Sequence, residues 1–370
     1  GFLQATPSLE VKTTGGNNPP VRSGAVLESD QTETVMFGMK ANLTSLTKFK
    51  TPVYFGLIGG VEKYGLEMLS FDSGTSREGQ FMQYGQKPLF LAGSVAVNVM
   101  DGVDVGFGVR ITLHANATMR LETDLAGNTT DEQLSVSAEP VLVPLMGVNL
   151  DLNPLLCEQD AECLWKDLDL AMSYRGASNT QTTVDATAII PGTVPDPGLP
   201  LVVSTLDAYQ PMILSFGAKY QLNPKWDVAA TLEYQNWDSL TNELTNDTVK
   251  DQANLVFEDT FIPRLGSRYQ YKETLNVSAG LSYETSPLKS SESQDVNLFD
   301  NDRVIASLGF TQLYTETKLL AFPLRIDGAY QYHHLMERDF TLSSLNESQY
   351  ETVTTSGNAH VLSLSFAMMF

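Results

Sequence analysis

The residues able to do chemistry are few and scattered. Histidine occurs only at His114, His333, His334 and His360. A hydrolase would need a serine hydrogen-bonded to such a base and an acid to orient it, and no Gly-x-Ser-x-Gly element is present. His333 and His334 are adjacent, so on a strand they point to opposite faces and cannot share a metal. Cys157 and Cys163 enclose five residues. They either close a small disulfide ring, which would place the segment in an oxidising space such as the periplasm, or remain two free thiols. Without a nearby histidine pair or further cysteines a zinc site is disfavoured. No catalytic residue, metal or cofactor is expected, and the chain is not read as an enzyme.

The remaining candidates are charged side chains in apolar surroundings: Arg110, Arg175, Lys219, Glu233, Arg325 and Asp327, with Asp104, His114, Asp169 and Asp227 beside them. What they can do depends on the elements that carry them. Those elements have a period of two. Val103, Val105, Phe107, Val109, Ile111 and Leu113 share one face, with Asp104, Gly106, Gly108, Arg110, Thr112 and His114 on the other. Leu275, Val277, Ala279, Leu281 and Tyr283 alternate in the same way with Asn276, Ser278, Gly280, Ser282 and Glu284. The alternation predicts strands at 2–13, 34–44, 52–67, 89–101, 103–123, 133–152, 167–189, 205–222, 226–240, 264–272, 274–286, 302–315, 324–343 and 359–370.

Fourteen strands make an even number, as an antiparallel barrel with both termini on one side requires. Short links alternate with long polar ones, a pattern expected of periplasmic turns and extracellular loops. The polar parity is mostly Gly, Ser, Ala, Asn and Thr, whereas the outer face of a soluble β-sandwich would be rich in Lys, Glu and Arg. Charged residues are 18% of the 370, below the roughly 25% of ordinary soluble domains. No apolar run approaches the ~20 residues of a membrane-spanning helix. The formal charge of -21 repels phosphate backbones and excludes nucleic acid as a partner. The fold class is therefore all-β: one transmembrane antiparallel barrel over 1–370, in the outer membrane of a Gram-negative bacterium. In such a barrel the charged candidates line the lumen, either paired with one another or, for Arg110 and Arg175, free to meet a carboxylate through a guanidinium fork.

The chain end fits this reading. Leu362, Leu364, Phe366, Met368 and the terminal Phe370 share one face, a spacing that resembles the signal read by the outer-membrane barrel assembly machinery. Acidic residues in the connectors (Glu28, Asp30, Glu33, Asp247, Asp251, Glu292, Asp295, Asp300) would suit divalent-ion bridging to lipopolysaccharide, or form a solvated acidic surface.

An ordered set of segments resembles the FadL family of outer-membrane channels for hydrophobic compounds (FadL/TodX-like). They are Lys63-Tyr-Gly-Leu66, Leu170-Ala-Met-Ser-Tyr-Arg175, Thr205 through Pro211 to Tyr220, Asn223-Pro-Lys-Trp226, Leu281-Ser-Tyr-Glu-Thr-Ser-Pro287 and Asp300-Asn-Asp-Arg303. The resemblance implies passive uptake of long-chain fatty acids or other hydrophobic molecules, with lateral exit through a kinked third strand. The residues matching that strand are Gly59, Gly60, Tyr64 and Gly65. Glycine suits an interruption because it leaves no side chain in the gap; it equally suits packing or barrel curvature. Family members carry an N-terminal hatch in the lumen, whereas here a strand is expected almost from Gly1. The loops after the fifth and seventh strands, which in the family help form the outer ligand site, read as short or polar. Two other readings follow from the missing hatch: a scaffold holding another protein in a secretion, adhesion or surface assembly, or an open diffusion pore. Expected partners are outer-membrane lipid and lipopolysaccharide, a hydrophobic small molecule and, for the scaffold, that protein.

Overall fold

The computed structural model describes residues 1–17, 23–25, 32–44, 51–63, 83–84, 89–123, 129–157, 163–190, 193–245, 255–289, 299–315, 321–343 and 350–368. In chain order the strands are β1 (Phe2–Gly16), β2 (Ser23–Ala25), β3 (Thr32–Asn42), β4 (Val53–Lys63), β5 (Gln83–Tyr84) and β6 (Leu89–Met100). Next come β7 (Val103–Thr123), β8 (Thr129–Asp151), helix α1 (Leu152–Leu156), β9 (Leu168–Arg175), β10 (Ser178–Ile190), β11 (Val194–Gln210) and β12 (Met212–Asn223). The rest are β13 (Trp226–Asn236), helix α2 (Asp238–Thr245), β14 (Thr260–Lys272), β15 (Leu275–Glu284), β16 (Arg303–Tyr314), β17 (Leu324–Ser343) and β18 (Tyr350–Met368).

Fourteen of these form the wall: β1, β3, β4, β6–β9 and β12–β18. Each pairs antiparallel with the next, and β18 pairs back onto β1 from Phe2↔Leu364 to Gly16↔Glu351, which closes the sheet. Closure is what lipid demands, since hydrocarbon offers no partner for the N–H and C=O groups of a free edge. The alternation sorts the side chains accordingly. Phe37, Phe107, Leu265, Leu308 and Phe366 stand exposed on the outside, and their neighbours in sequence, among them Gly108, Gly266, Ser307 and Ser365, face the lumen.

One rim carries the short turns, Asp101–Gly102 among them, and both ends of the described chain. At Gly102 the backbone has φ 81, and a Cβ there would meet the carbonyl oxygen of Asp151 at 2.6 Å. Glycine is required at this turn because α1 folds directly beneath it. The same connector holds the Cys157–Cys163 disulfide.

The strand boundaries differ from the sequence reading at three places that matter to the architecture. The strand expected at 359–370 begins nine residues earlier, at Tyr350. The segment Tyr350–Asn358 reads as a loop because it has no apolar outer face, yet a strand that projects beyond the bilayer needs none. Its inward Val353 and Thr355 are fully buried. The strand expected at 167–189 leaves the wall after Arg175, and the one expected at 205–222 joins it only at Met212. The intervening β10 and β11 form a hairpin, β10 lying parallel to the upper part of β7. The connection after the seventh wall strand is thus a long hairpin and not a short loop. The third difference is at 226–240, where the strand stops at Asn236 and turns into α2.

Above the bilayer the sidedness of the strands inverts. Leu9 and Val11 of β1, Phe340 and Leu342 of β17 and Val353 of β18 point inward and are buried. Leu240 and Leu244 of α2, with Leu255, Phe257, Leu288 and Phe299, pack onto them as a cap. Polar bolts fix it. The buried Asn301 side chain donates to the Met336 and Thr355 carbonyls at 2.7 and 3.1 Å, and Arg338 donates to the carbonyls of Asp300 (2.8 Å) and Leu288. Each bond satisfies a backbone carbonyl where a loop tucks inside the wall.

Candidate functional site

The lumen from β9 to β17 is lined by charge on small residues. Lys219 of β12 pairs with Asp169 of β9, and Asp227 of β13 with Arg268 of β14. Arg264 of β14 donates to Glu233 at 2.7 Å and to Glu284 at 3.1 Å, and Arg303 donates to the other oxygen of Glu284 at 2.8 Å. Arg325 donates to Asp327 at 2.9 Å, and that carboxylate also accepts from Thr311 at 2.7 Å and Ser365 at 3.2 Å. Between these pairs lies a trough of ≈ 610 Å³, floored by glycine, alanine and serine and reached by Lys219, Arg264, Arg268 and His333. In each pair the cation is partly exposed and the carboxylate is the more covered partner. Their joint effect is on solvation: an alkyl chain laid across these charges would have to take them out of water, which costs free energy.

Two arginines differ from the rest. Arg110 on β7 stands opposite Val143, and Arg175 on β9 stands opposite Leu145, so the two project inward from nearby positions on either side of β8. Arg110 stacks over the Phe90 ring at 4.7 Å and donates to the Gln210 side chain at 2.7 Å. The Nε of both arginines is buried and meets no hydrogen-bond partner among the described residues. The Glu233 carboxylate is near Arg175, and each arginine keeps one Nε donor that a further anion could take.

Other residues singled out in the sequence sit apart from this pair. Asp104 faces the lumen at the short-turn rim and accepts from the Asn98 amide at 3.0 Å. His333 faces the trough and meets Gln331 at 3.1 Å, His334 is exposed on the outer surface, and His360, also outside, is hydrogen-bonded to the Tyr330 hydroxyl at 2.7 Å. They do not converge. The side chain of His114, the residues Tyr64 and Gly65 and the terminal Phe370 lie outside the described residues. Leu362, Leu364, Phe366 and Met368 are exposed on the lipid face of β18.

No opening is present at Gly59 and Gly60. The ladders of β4 with β3 and with β6 run through both residues without a break. Both glycines instead make room for rings: a Cβ on Gly60 would meet Phe90 at 2.5 Å, and one on Gly59 would meet Phe37 at 3.0 Å. Sequence reasoning missed Arg264, Arg268, Arg303 and Gln210 and left Glu284 on the polar parity of its strand without a role. Arg264 and Arg268 share the parity of Gly266 and were legible as lumen residues. Arg303 stands at a strand end, where parity fades, and Gln210 reaches the site through a hairpin that alternation does not reveal.

Comparison with known proteins agrees with the architecture. Residues 168–370 match the family described as outer membrane protein transport protein (OMPP1/FadL/TodX). The chain is 41% identical over 357 residues to alkane uptake protein A of Marinobacter nauticus, covering 95% of this chain and 78% of that protein. Its fold is similar to that of a Pseudomonas aeruginosa FadL homologue, with a TM-score of 0.57 and 13% identity over 98% of this chain and 88% of that one. A deletion mutant of the TodX monoaromatic hydrocarbon channel matches with a TM-score of 0.50 and 13% identity over 98% of this chain and 88% of that one. With a closed fourteen-stranded wall and a close relative along nearly its whole length, the chain belongs to the OMPP1/FadL/TodX family of outer-membrane transport proteins of Gram-negative bacteria.

Proposed function

We propose that this barrel is a passive channel for hydrophobic compounds, long-chain fatty acids or alkanes, that enter at the outer mouth and leave sideways into the bilayer. The observation that carries this reading is the contrast between an apolar cap at the outer mouth and a lumen below it that is crossed by ion pairs. An alkyl chain that has reached the barrel interior would have to displace water from Lys219, Arg264, Arg268 and their carboxylate partners to continue along the axis. Leaving through the wall avoids that cost. The names of the relatives, an alkane uptake protein and a monoaromatic hydrocarbon channel, support the substrate class. Arg110 and Arg175 receive the carboxylate when the compound has one, and the compound leaves near the third wall strand.

The test is transfer in reconstituted vesicles. Phospholipid vesicles carrying the full chain take up hexadecane or palmitate from a donor emulsion faster than empty vesicles, while a planar bilayer shows no large steady conductance. Transfer no faster than in empty vesicles would remove the reading, and large steady currents would replace it with an open pore.

A further inference from the structure

Three neighbouring wall strands lose their pairing at one level. The β8–β9 ladder ends at Leu145↔Arg175 and the β9–β12 ladder at Ile213↔Arg175. Above that row stand Pro144, Gly176 and Pro211, the last bond being from the Gly176 N–H to the Pro144 carbonyl at 2.9 Å. Beyond it β8 runs on from Val143 to Thr129 with β7 as its one ladder partner among the described residues. Proline ends a ladder because it has no N–H to give. The chain then passes inward as the β10–β11 hairpin, and its root, with Ser178, Tyr209 and Gln210 all buried, lies behind the break.

On the lipid side directly below this notch the wall is grooved. A hollow of ≈ 550 Å³, almost wholly apolar, runs among Phe107, Met146, Val148, Met172, Tyr174 and Leu214. The lumenal guanidinium of Arg175, with its buried and unpartnered Nε, stands on the top row of paired residues, next to Tyr174 of the groove.

We propose that the groove and the notch form a binding site for a single-chain anionic amphiphile, its tail along the lipid-facing groove and its carboxylate turned through the notch onto Arg175. This deepens the channel reading and rests on it, because it supplies a second place where a fatty acid passes between lumen and membrane. Three features converge on this occupant: an apolar hollow, a break in two ladders at its upper end, and a cation with an unpartnered Nε just inside.

Photolabelling tests the site. The full chain in phospholipid vesicles is irradiated with palmitic acid carrying a tail diazirine, and adducts are mapped by peptide mass spectrometry. Adducts are expected on Met146, Val148 or Met172, with yield falling about tenfold when the methyl ester replaces the acid, and equally in Arg175→Gln, as loss of a charge-assisted contact predicts. Equal labelling by acid and ester would mean ordinary contact with surrounding lipid and would overturn the proposal; the ester comparison uses the unaltered protein, so it holds even where Arg175→Gln fails to fold. Adducts confined to the lumen or the outer mouth would also overturn it. Hexadecane transfer by the same vesicles reads the channel function separately, so loss of the groove site and loss of the channel are distinguishable.

Discussion

At the scale of single residues, Asp259 shows how the mouth of the barrel depends on charge. It lies between α2 and β14, outside the membrane wall. Burial raises its carboxyl pKa, but hydrogen bonds from the Tyr234 hydroxyl (2.6 Å), the Asp238 N–H (3.0 Å) and the Asn236 amide (3.0 Å) outweigh that effect and hold it below the usual value. A carboxyl whose folded pKa is depressed contributes stability above its unfolded value of about 3.9 and loses it as pH falls through the folded value. Amide exchange across 237–245 is therefore expected to accelerate below about pH 3.9, and Asp259→Asn should show the faster exchange already at neutral pH. An exchange rate flat from pH 6 to 3, after correction for intrinsic chemistry, would contradict this. Glycines are a second lesson at this scale. Gly59 and Gly60 read equally well as a gap or as seats for rings, and composition alone cannot tell these apart. The difference lies in which aromatic side chain stands across the ladder, a fact of register.

Among elements, the cap is held by packing more than by chain continuity. Leu240 and Leu244 are wholly buried although α2 is only eight residues long, too short to persist alone. Leu240→Ala should therefore cost about 2–5 kcal/mol, taken mostly from the attachment of the cap to β1, β17 and β18. The expected signature is faster proteolysis of the 237–257 connector, with the wall itself still resistant and still shifted in gel mobility before heating. A wall that unfolds together with the cap would show that the two are one cooperative unit. Strand existence was legible from alternation almost everywhere, because one solvent, hydrocarbon, acts on one parity. It failed at Tyr350–Asn358 and over 194–204, where that solvent is absent and pairing partners alone keep the strand.

For the whole molecule, the governing fact is that the outside is the greasy side. Leu265 is exposed on the outer surface, midway along β14, flanked by Leu281 and by Ala230. Leu265→Arg should destabilise the barrel by about 2–4 kcal/mol, whereas a cation on the lumenal Ser307 should cost far less. Folded yield in detergent or vesicles, read as the fraction that migrates fast before boiling, measures both. Equal losses would mean that the two faces have been assigned wrongly. The barrel and its inside-out polarity could be read from residue types and their period. The arginine pair was half-legible, since its lumenal parity was evident while its neighbourhood depended on a hairpin that crosses behind the wall.

The seam between β1 and β18 has a consequence for how such a molecule comes into being. Phe2 finds Leu364 only after the ribosome has made the fourteenth wall strand, so every nascent product short of it carries two raw margins that nothing of its own can cover. Translation cannot hand over a partly working vessel. A stop codon just before that strand does as much harm as one in the first, and until the strand arrives the polypeptide depends on escort proteins to keep it from sticking to its siblings.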